Sequence, residues 1–132
     1  MADPGLRALV VDDSSVIRDL IAVNLELEGF EVTTAGDGET AVELATVLRP
    51  HVITLDVMMP RLGGFETVVR LREDERTAHI PVVMVTGRAQ AADLERGQEV
   101  GVEAYLTKPF EPAQLVEVVT RLAREGRAGA GA

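Results

Sequence analysis

Short apolar segments alternate along this chain with longer stretches in which apolar residues recur at helical spacing. The short segments lie at residues 6–11, 30–35, 52–55, 81–86 and 104–107. Most of them lack the polar alternation of a half-exposed strand, and such runs are typical of strands that are covered on both faces of a sheet. The pattern therefore predicts five short and largely buried β-strands.

The first predicted helix follows directly after the first strand. Ser14 or Ser15 can cap its N-terminus, and Gly29 ends it. Its apolar residues follow a period of mostly 3.6 residues, which indicates a stripe that faces the core. The residues of this stripe are Val16, Ile17, Leu20, Ile21, Leu25 and Leu27.

Four more helices complete the alternation. They are expected from Asp37 to Pro50, over residues 65–73, over residues 89–100 and from Pro112 onward. Five strand–helix repeats predict the α/β class, as a single-domain (βα)5 doubly wound parallel sheet with right-handed crossovers. We assign residues 1–124 to this domain and the Gly/Ala-rich residues 125–132 to a flexible tail or the start of a linker.

Composition narrows the classes of function. The 13 basic and 22 acidic residues give a net charge of −9, which disfavours direct nucleic-acid binding. The chain has no cysteine, and His51 and His79 are far apart in sequence, so we expect surface histidines and no zinc site. No apolar run approaches the roughly 20 residues of a membrane helix. The N-terminus has no apolar signal segment, and a cytoplasmic location is the expectation.

Polar residues with reactive groups follow four of the predicted strands. Asp12 and Asp13 come after the first strand, Asp56 after the third, Thr86 ends the fourth, and Lys108 follows the fifth. In an open parallel sheet, the carboxyl ends of the strands form the binding site. Either aspartate position alone would also fit a helix cap or a turn. The combined set instead predicts one pocket with three carboxylates, a hydroxyl and an ammonium group.

This set of groups suits a divalent cation and a phosphoryl group. Two carboxylates about 4 Å apart repel by about 4 kcal/mol at an effective dielectric near 20, so a counter-charge is needed. Oxygen ligands favour Mg²⁺, with Mn or Ca as substitutes. Asp56 is suited to act as a nucleophile toward phosphorus. Lys108 and Thr86 would then neutralise and bind the phosphoryl oxygens.

The chain resembles the receiver domain of two-component response regulators over roughly residues 6–124. The resemblance rests on motifs that occur in the family's order, namely Asp12-Asp13, the loop with Asp56, Met59, Pro60 and Gly64, then Thr86 and Lys108-Pro109. It implies the flavodoxin-like strand order 2-1-3-4-5. It also implies that Asp56 is the phosphoacceptor, in a protein that is not an enzyme beyond its own phosphorylation and dephosphorylation.

The resemblance also implies roles for the other residues of the motifs. Asp13 is the direct metal ligand, Asp12 binds metal mainly through water, and the backbone carbonyl of Met58 completes the ligands. Lys108 binds the phosphoryl group and Thr86 is the switch hydroxyl. The switch aromatic would be Tyr105, and the peptide between Lys108 and Pro109 would be cis.

Three positions bear on how this member would be tuned. Gly87 stands where the family usually has alanine, which should leave access to the phosphoryl group open. Arg88 and Met58 lie at positions that tune phosphoryl lifetime in the family. The segment of residues 101–105 lacks the paired acids of the winged-helix subfamily, so that subfamily's salt-bridged dimer is not expected here.

The implied function is phosphoryl transfer to Asp56 from a histidine kinase, a phosphotransfer protein or a small acyl phosphate. The surface of the fourth helix, fifth strand and fifth helix would then signal to a partner or an output domain, and the last two helices could form a homodimer. Two alternatives remain open at this stage. One is a degenerate receiver that binds partners without phosphorylation. The other is a Mg-dependent phosphohydrolase, although Met58 stands where such enzymes need a second acid.

Overall fold

Five strands and five helices alternate in the computed structural model, which describes residues 5–87 and 91–126. The strands are β1 Arg7–Val11, β2 Glu31–Ala35, β3 Val52–Leu55, β4 Val82–Thr86 and β5 Ala104–Thr107. The helices are α1 Ser15–Leu27, α2 Gly38–Leu48, α3 Gly64–Glu73, α4 Ala91–Val100 and α5 Pro112–Glu125. The predicted elements are confirmed, and their described ends differ from the prediction by one or two residues. The predicted start of the fourth helix at residue 89 and residues 127–132 of the predicted tail lie outside the described residues.

All neighbouring strands pair in parallel, in the order β2-β1-β3-β4-β5. The predicted doubly wound sheet and its strand order are therefore confirmed. The order reverses between β1 and β3, where Val11 pairs with Leu55. Chains that leave these two strands turn in opposite directions, which opens a crevice at the carboxyl ends.

The core consists of two aliphatic layers, one on each face of the sheet. Successive residues of β1 point to opposite faces, so Val10 enters one layer and Leu9 the other. The first layer includes Leu25 from α1 and Leu115 from α5. The second includes Leu71 from α3. Apart from Arg7, the residues of the inner strands β1, β3 and β4 are buried because helices cover both faces.

Helix starts follow the expected capping chemistry. Ser14 is the N-cap of α1 and accepts a hydrogen bond from the Ile17 N–H at 3.4 Å. Asp37 caps α2 by accepting from the Thr40 N–H at 2.8 Å, and this bond is the main reason that the pKa of Asp37 is lowered. The caps thus fix where both helices leave the crevice end of the sheet.

The prediction of an apolar stripe on α1 that faces the core is wrong in part. Val16, Leu20 and Leu27 are 75%, 45% and 81% exposed. The buried residues of α1 are Ile21, Ala22 and Leu25. A helix on one face of a sheet buries only a narrow stripe, and the 13 residues of α1 hold more apolar side chains than this stripe accepts.

His51 differs from the expected surface histidine. Its side chain is half-buried, and its Nδ1 atom accepts a hydrogen bond from the Arg7 backbone N–H at 3.0 Å. Burial, with the nearby charge of Arg7, lowers the pKa of His51. The ring therefore has a structural role at the start of β1, whereas His79 is exposed as expected.

A largely buried ion pair connects three segments at the amino end of the sheet. The guanidinium of Arg72 donates to the carbonyls of Ile80 and Gly101, each at 2.7 Å, and lies 3.2 Å from the Glu103 carboxylate. The same Glu103 oxygen accepts from the Val82 N–H at 2.8 Å. We call this cluster the Arg72 clamp. It joins the end of α3, the start of β4 and the turn between α4 and β5.

Replacing Glu103 by alanine should destabilise the fold, because Arg72 would stay buried without its carboxylate partner. We expect a loss of about 3 kcal/mol in the free energy of unfolding, measured by urea denaturation. Glu99→Ala removes an exposed acid nearby and should change stability by less than about 0.5 kcal/mol. Equal stabilities of the two variants would contradict a structural role for the clamp.

Candidate functional site

Backbone hydrogen bonds bring the strand ends of the crevice together. The Asp12 N–H donates to the Ala35 carbonyl at 3.2 Å, and the Asp56 N–H donates to the Val11 carbonyl at 3.1 Å. These bonds continue the ladders of β1 with β2 and of β3 with β1 by one residue. The side chains of Asp12 and Asp56 are therefore positioned by the sheet itself and not by a loose loop.

The far side of the crevice is built in the same way. The Lys108 N–H donates to the Thr86 carbonyl at 2.8 Å, which ties the residue after β5 to the end of β4. The peptide bond between Lys108 and Pro109 is cis. The Lys108 side chain leaves this turn and extends across the crevice toward the aspartates.

Three carboxylates converge at the carboxyl ends of β1 and β3. Asp12, Asp13 and Asp56 each offer an oxygen, and these oxygens lie within 4.8 Å of one another. Asp12 and Asp56 are 1% and 6% exposed, while Asp13 is exposed. The cluster therefore has a buried interior and one acid at its opening.

Lys108 is the counter-charge of this cluster. Its Nζ atom lies 3.0 Å from Oδ2 of Asp12 and 3.5 Å from Oδ2 of Asp56. No other side-chain cation within residues 5–87 and 91–126 forms an ion pair with the three acids. One ammonium group among three carboxylates leaves the cluster with a net negative charge.

This excess of negative charge acts on Asp56. Burial is the largest cause that raises the pKa of Asp56, and the nearby charge of Asp12 raises it further. Lys108 and a hydrogen bond from the Met58 N–H, at 3.3 Å, act in the opposite direction but do not cancel the increase. An ionised Asp56 is therefore held in an unfavourable environment, which favours any ligand that brings positive charge.

The donor set fits a hard divalent cation. Three carboxylate oxygens, two of them on buried residues and one on an exposed residue, match the ligands that Mg²⁺ prefers, and the exposed side leaves room for water. The uncompensated negative charge supplies the electrostatic reason for binding. When bound, such a cation would neutralise the acids and polarise a phosphoryl oxygen.

Two residues hold Asp12 in place, of which Ser14 was expected only as a helix cap and Arg18 was not singled out from the sequence. The Ser14 N–H donates to Oδ1 of Asp12 at 2.9 Å, and Arg18 donates from Nη1 to the Asp12 carbonyl at 3.1 Å. Arg18 lies on α1 and reaches back over the loop that carries the acids. No local pattern could indicate this bond, because the side chain contacts backbone six residues earlier.

Close packing fixes the loop after β3. A Cβ atom on Gly64 would clash with the Asp56 carbonyl oxygen, and would lie 2.8 Å from Cα of Val57. The Gly64 N–H donates to the Val57 carbonyl at 2.9 Å. Glycine at position 64 therefore allows α3 to begin directly against the backbone of Asp56.

The remaining residues of the predicted site lie around this cluster. Thr86 is fully buried at the end of β4, and Gly87 is exposed with open space where a Cβ would be. Met58 is 58% exposed at the opening. Arg88 lies outside the described residues.

Tyr105 lies on β5 and is half-buried against α4. Its hydroxyl donates to the Asp93 backbone carbonyl at 2.7 Å. Burial, with the charge of Asp93, raises the pKa of Tyr105 to about 12. The tyrosine is therefore a neutral hydrogen-bond donor that connects β5 to the first turn of α4.

Comparison with known proteins gives the family of this chain. A family model described as the response regulator receiver domain matches residues 8–120. The chain belongs to this family. The receiver resemblance seen in the sequence is thereby confirmed, and the protein is a receiver domain of the two-component response regulator type.

Relatives of this receiver domain include longer regulatory proteins. It is 44% identical over 118 residues to the DNA-binding dual master transcriptional regulator RpaA of Synechocystis sp., which covers 89% of this chain and 49% of RpaA. It is 40% identical over 112 residues to the phosphate regulon regulatory protein PhoB of Pseudomonas aeruginosa, covering 85% of this chain and 49% of PhoB. The chain thus spans about half the length of these relatives.

Solved structures agree with the family. The chemotaxis protein CheY4 of Vibrio cholerae is similar with a TM-score of 0.84 and 36% identity, over 88% of this chain and 97% of CheY4. The receiver domain of the sensor histidine kinase PA1611 of Pseudomonas aeruginosa has a TM-score of 0.84 and 30% identity, over 92% of this chain and 99% of that one. The PA1611 structure has a magnesium ion coordinated in its active site cleft.

Among the helices that the structure describes, none combines the length and the apolar character that a membrane crossing requires.

Asp56→Asn should stabilise the receiver at neutral pH in the presence of EDTA. The folded state raises the pKa of Asp56 above the unfolded value of 3.8. The stability that protonation of Asp56 contributes is therefore fully present when the pH lies below this unfolded pKa. This stability is lost as the pH rises through the folded-state pKa. In urea unfolding, the gain in stability of Asp56→Asn over wild type should therefore be small at about pH 4 and larger at neutral pH.

Asp74→Asn is a control for which the expected change in stability has the opposite sign. Hydrogen bonds from Arg76 lower the pKa of Asp74 to about 2, so its contribution is present above the unfolded pKa and is lost in acid. Asp74→Asn should therefore reduce stability at neutral pH, and only slightly because the pair is exposed. An Asp56→Asn variant that is less stable than wild type at neutral pH would contradict the conclusion that the ionised Asp56 is unfavourable in the folded state.

Proposed function

We propose that the receiver accepts a phosphoryl group on Asp56 and signals by a change of its α4-β5-α5 surface. The donor is a phosphohistidine of a histidine kinase or phosphotransfer protein, or a small acyl phosphate. The observation that carries the proposal is the position of Asp56, a buried carboxylate 3.5 Å from Lys108 within a cluster of three acids. The catalytic roles are those of Asp56, Lys108 and Thr86.

In the proposed reaction, an oxygen of Asp56 attacks phosphorus in line with the leaving group. An oxygen–phosphorus bond forms, the nitrogen–phosphorus bond of phosphohistidine breaks, and the histidine nitrogen retains the electron pair. The raised pKa of Asp56 makes its carboxylate more basic and hence a better nucleophile. Lys108, now near Asp12 and Asp56, would bind a phosphoryl oxygen of the product.

The metal roles in this proposal fall on Asp12, Asp13, Asp56 and the Met58 carbonyl. Mg is the proposed ion, with Mn or Ca as substitutes. Support comes from the fit of the three acids and from the magnesium ion in the cleft of the PA1611 receiver. Asp13, the exposed member, would bind directly, whereas the buried Asp12 shares its charge with Lys108 and would act mainly through water.

Gly87 and Arg88 are proposed to tune the lifetime of the phosphoryl group, together with Met58. Support for Gly87 comes from the open space around it, which leaves a path for water beside Thr86. Met58 is exposed at the opening of the crevice. For Arg88 the support is the family resemblance of its position alone.

Switching requires several interactions to change together. Moving a minor state to near-full occupancy needs about 5.5 kcal/mol of differential interaction, whereas one charge-assisted hydrogen bond supplies about 1.5–3 kcal/mol. Thr86 and Lys108 are joined through their backbones and can both respond to a phosphoryl group on Asp56. We propose that movement of Thr86 allows Tyr105 to turn inward, which alters α4, β5 and α5.

The partners follow from this change of surface. They are the phosphodonor, and a downstream protein or an output domain; a homodimer through α4 and α5 is one further form of output. The relatives RpaA and PhoB, of which the chain spans about half, support an output domain in the same polypeptide. The proposed location is the cytoplasm, and no direct contact of this domain with nucleic acid or membrane is proposed.

Phosphorylation can be tested by intact-mass measurement after incubation with Mg²⁺ and acetyl phosphate. Wild type should gain one phosphoryl group, and Asp56→Asn should gain none because the nucleophilic oxygen is lost. Asp19→Asn, an exposed acid on α1, should be modified like wild type. EDTA should prevent the adduct.

The other outcomes of this experiment select the alternatives. Steady release of phosphate at an enzyme-like rate would favour a phosphohydrolase. The absence of an adduct in wild type at any donor concentration would favour a receiver that binds partners without phosphorylation.

Thr86→Ala should accept the phosphoryl group but switch poorly, because the hydroxyl that senses it is absent. Hydrogen exchange of α4 and β5, measured with and without acetyl phosphate, should show a reduced response. Thr107→Ala is a matched control, since Thr107 pairs with Thr86 in the sheet register but is exposed. A full wild-type response in Thr86→Ala would show that the coupling does not use this hydroxyl.

A further inference from the structure

Gly97 lies in α4 where this helix passes over the ring of Tyr105. It is buried, although the helix residues beside it are exposed. A Cβ atom on Gly97 would lie 2.5 Å from Cε2 and 2.8 Å from the hydroxyl oxygen of Tyr105, far closer than van der Waals contact. Apart from proline, glycine is the least favourable residue within a helix. The residue of α4 that favours a helix least therefore occupies the position at which a side chain would displace the Tyr105 ring.

The same face of α4 also binds the tip of the tyrosine. The Tyr105 hydroxyl donates to the Asp93 carbonyl at 2.7 Å. Asp93 lies four residues before Gly97, one turn away on the same side of the helix. The ring and the hydroxyl are thus held together by one pair of α4 residues, one of which provides space and the other a hydrogen-bond acceptor.

We infer that Gly97 is a positioning residue, which forms a notch in α4 for Tyr105 and thereby sets how strongly this side chain is held in its observed position. A side chain at position 97 would disfavour this position and would not affect a tyrosine that has left α4. The regulatory consequence rests on the proposed function. A substitution of Gly97 would shift the receiver toward the state that phosphorylation favours.

Tyr105 can be followed without any label. The chain has one tyrosine and no tryptophan, so its intrinsic fluorescence and phenolate absorbance report on Tyr105 alone. For Gly97→Ala without magnesium or phosphodonor, we expect the phenol pKa to move from about 12 toward 10.0, its ordinary value. Acrylamide should also quench the fluorescence more strongly. Glu99→Ala, at an exposed position of α4, should behave as wild type.

Thermal stability gives a second measurement, which does not need the tyrosine signal. In a Tyr105→Ala background, Gly97→Ala should raise the melting temperature because alanine is the better helix former. In the wild-type background this gain should be lost or reversed, because the ring is displaced. Val102 would lie 2.9 Å from the new Cβ and is the same in both backgrounds, so the difference isolates Tyr105.

Two results would overturn the inference. One is a Gly97→Ala protein whose phenol titration and quenching equal those of wild type. The other is an equal rise in melting temperature in both backgrounds. Either result would show that the ring is not held by the notch.

The phosphorylated state separates this inference from the proposed function. Phosphorylation should then reduce the acrylamide quenching of Gly97→Ala, because Tyr105 turns inward once Thr86 has moved, with intact mass measured on the same samples. If no adduct forms in either protein, the proposed function fails, while the titration without phosphodonor still decides the role of Gly97. If the adduct forms and the Gly97→Ala titration is unchanged, only the notch is wrong.

Discussion

The crevice depends on one ammonium group that lies between carboxylates from different strands. Lys108 contacts Asp12 after β1 and Asp56 after β3, at 3.0 and 3.5 Å. These residues are far apart in sequence and meet only because all five strands run in parallel, in an order that places β1 and β3 side by side. Without Lys108, two buried acids about 4 Å apart would repel by about 4 kcal/mol. The charge balance of the site therefore depends on the strand order, which brings Lys108 next to both aspartates.

This balance is incomplete, and the imbalance has a chemical consequence. One ammonium group faces three carboxylates, so the pKa of Asp56 remains raised by burial and by Asp12. A group in this state stabilises the fold only when its charge is reduced, by a proton or by a bound cation. In the proposed reaction, a phosphoryl group on Asp56 would replace the carboxylate by a larger anion, which would compete with Asp12 for Lys108. The lysine can thus transmit the chemical state of Asp56 to β5.

The position of the site could be predicted from the sequence because it depends on a simple regularity. Unbroken apolar segments predict parallel strands, and parallel strands bring their carboxyl ends to one edge, so Asp12, Asp56 and Lys108 had to be neighbours. Bonds from a side chain to the backbone or to another segment have no such period. The Arg72 clamp and the bond from Arg18 to the Asp12 carbonyl could therefore not be inferred. The prediction that Val16 of α1 faces the core was wrong for a related reason. A helical period indicates an amphipathic helix, but it does not give the width of the stripe that the sheet covers.

The contacts of α4 differ in kind between its two ends. Its C-terminal end is fixed, because Arg72 binds the Gly101 carbonyl and Glu103 on either side of the turn to β5. Earlier in the helix, Arg96 lies over the Phe65 ring of α3 at 6.0 Å, a contact that tolerates small shifts. The first turn is connected to β5 by the hydrogen bond from the Tyr105 hydroxyl to the Asp93 carbonyl. A change of Tyr105 would thus break a contact at the end of α4 that lies nearest the crevice, while the Arg72 clamp would still hold the other end.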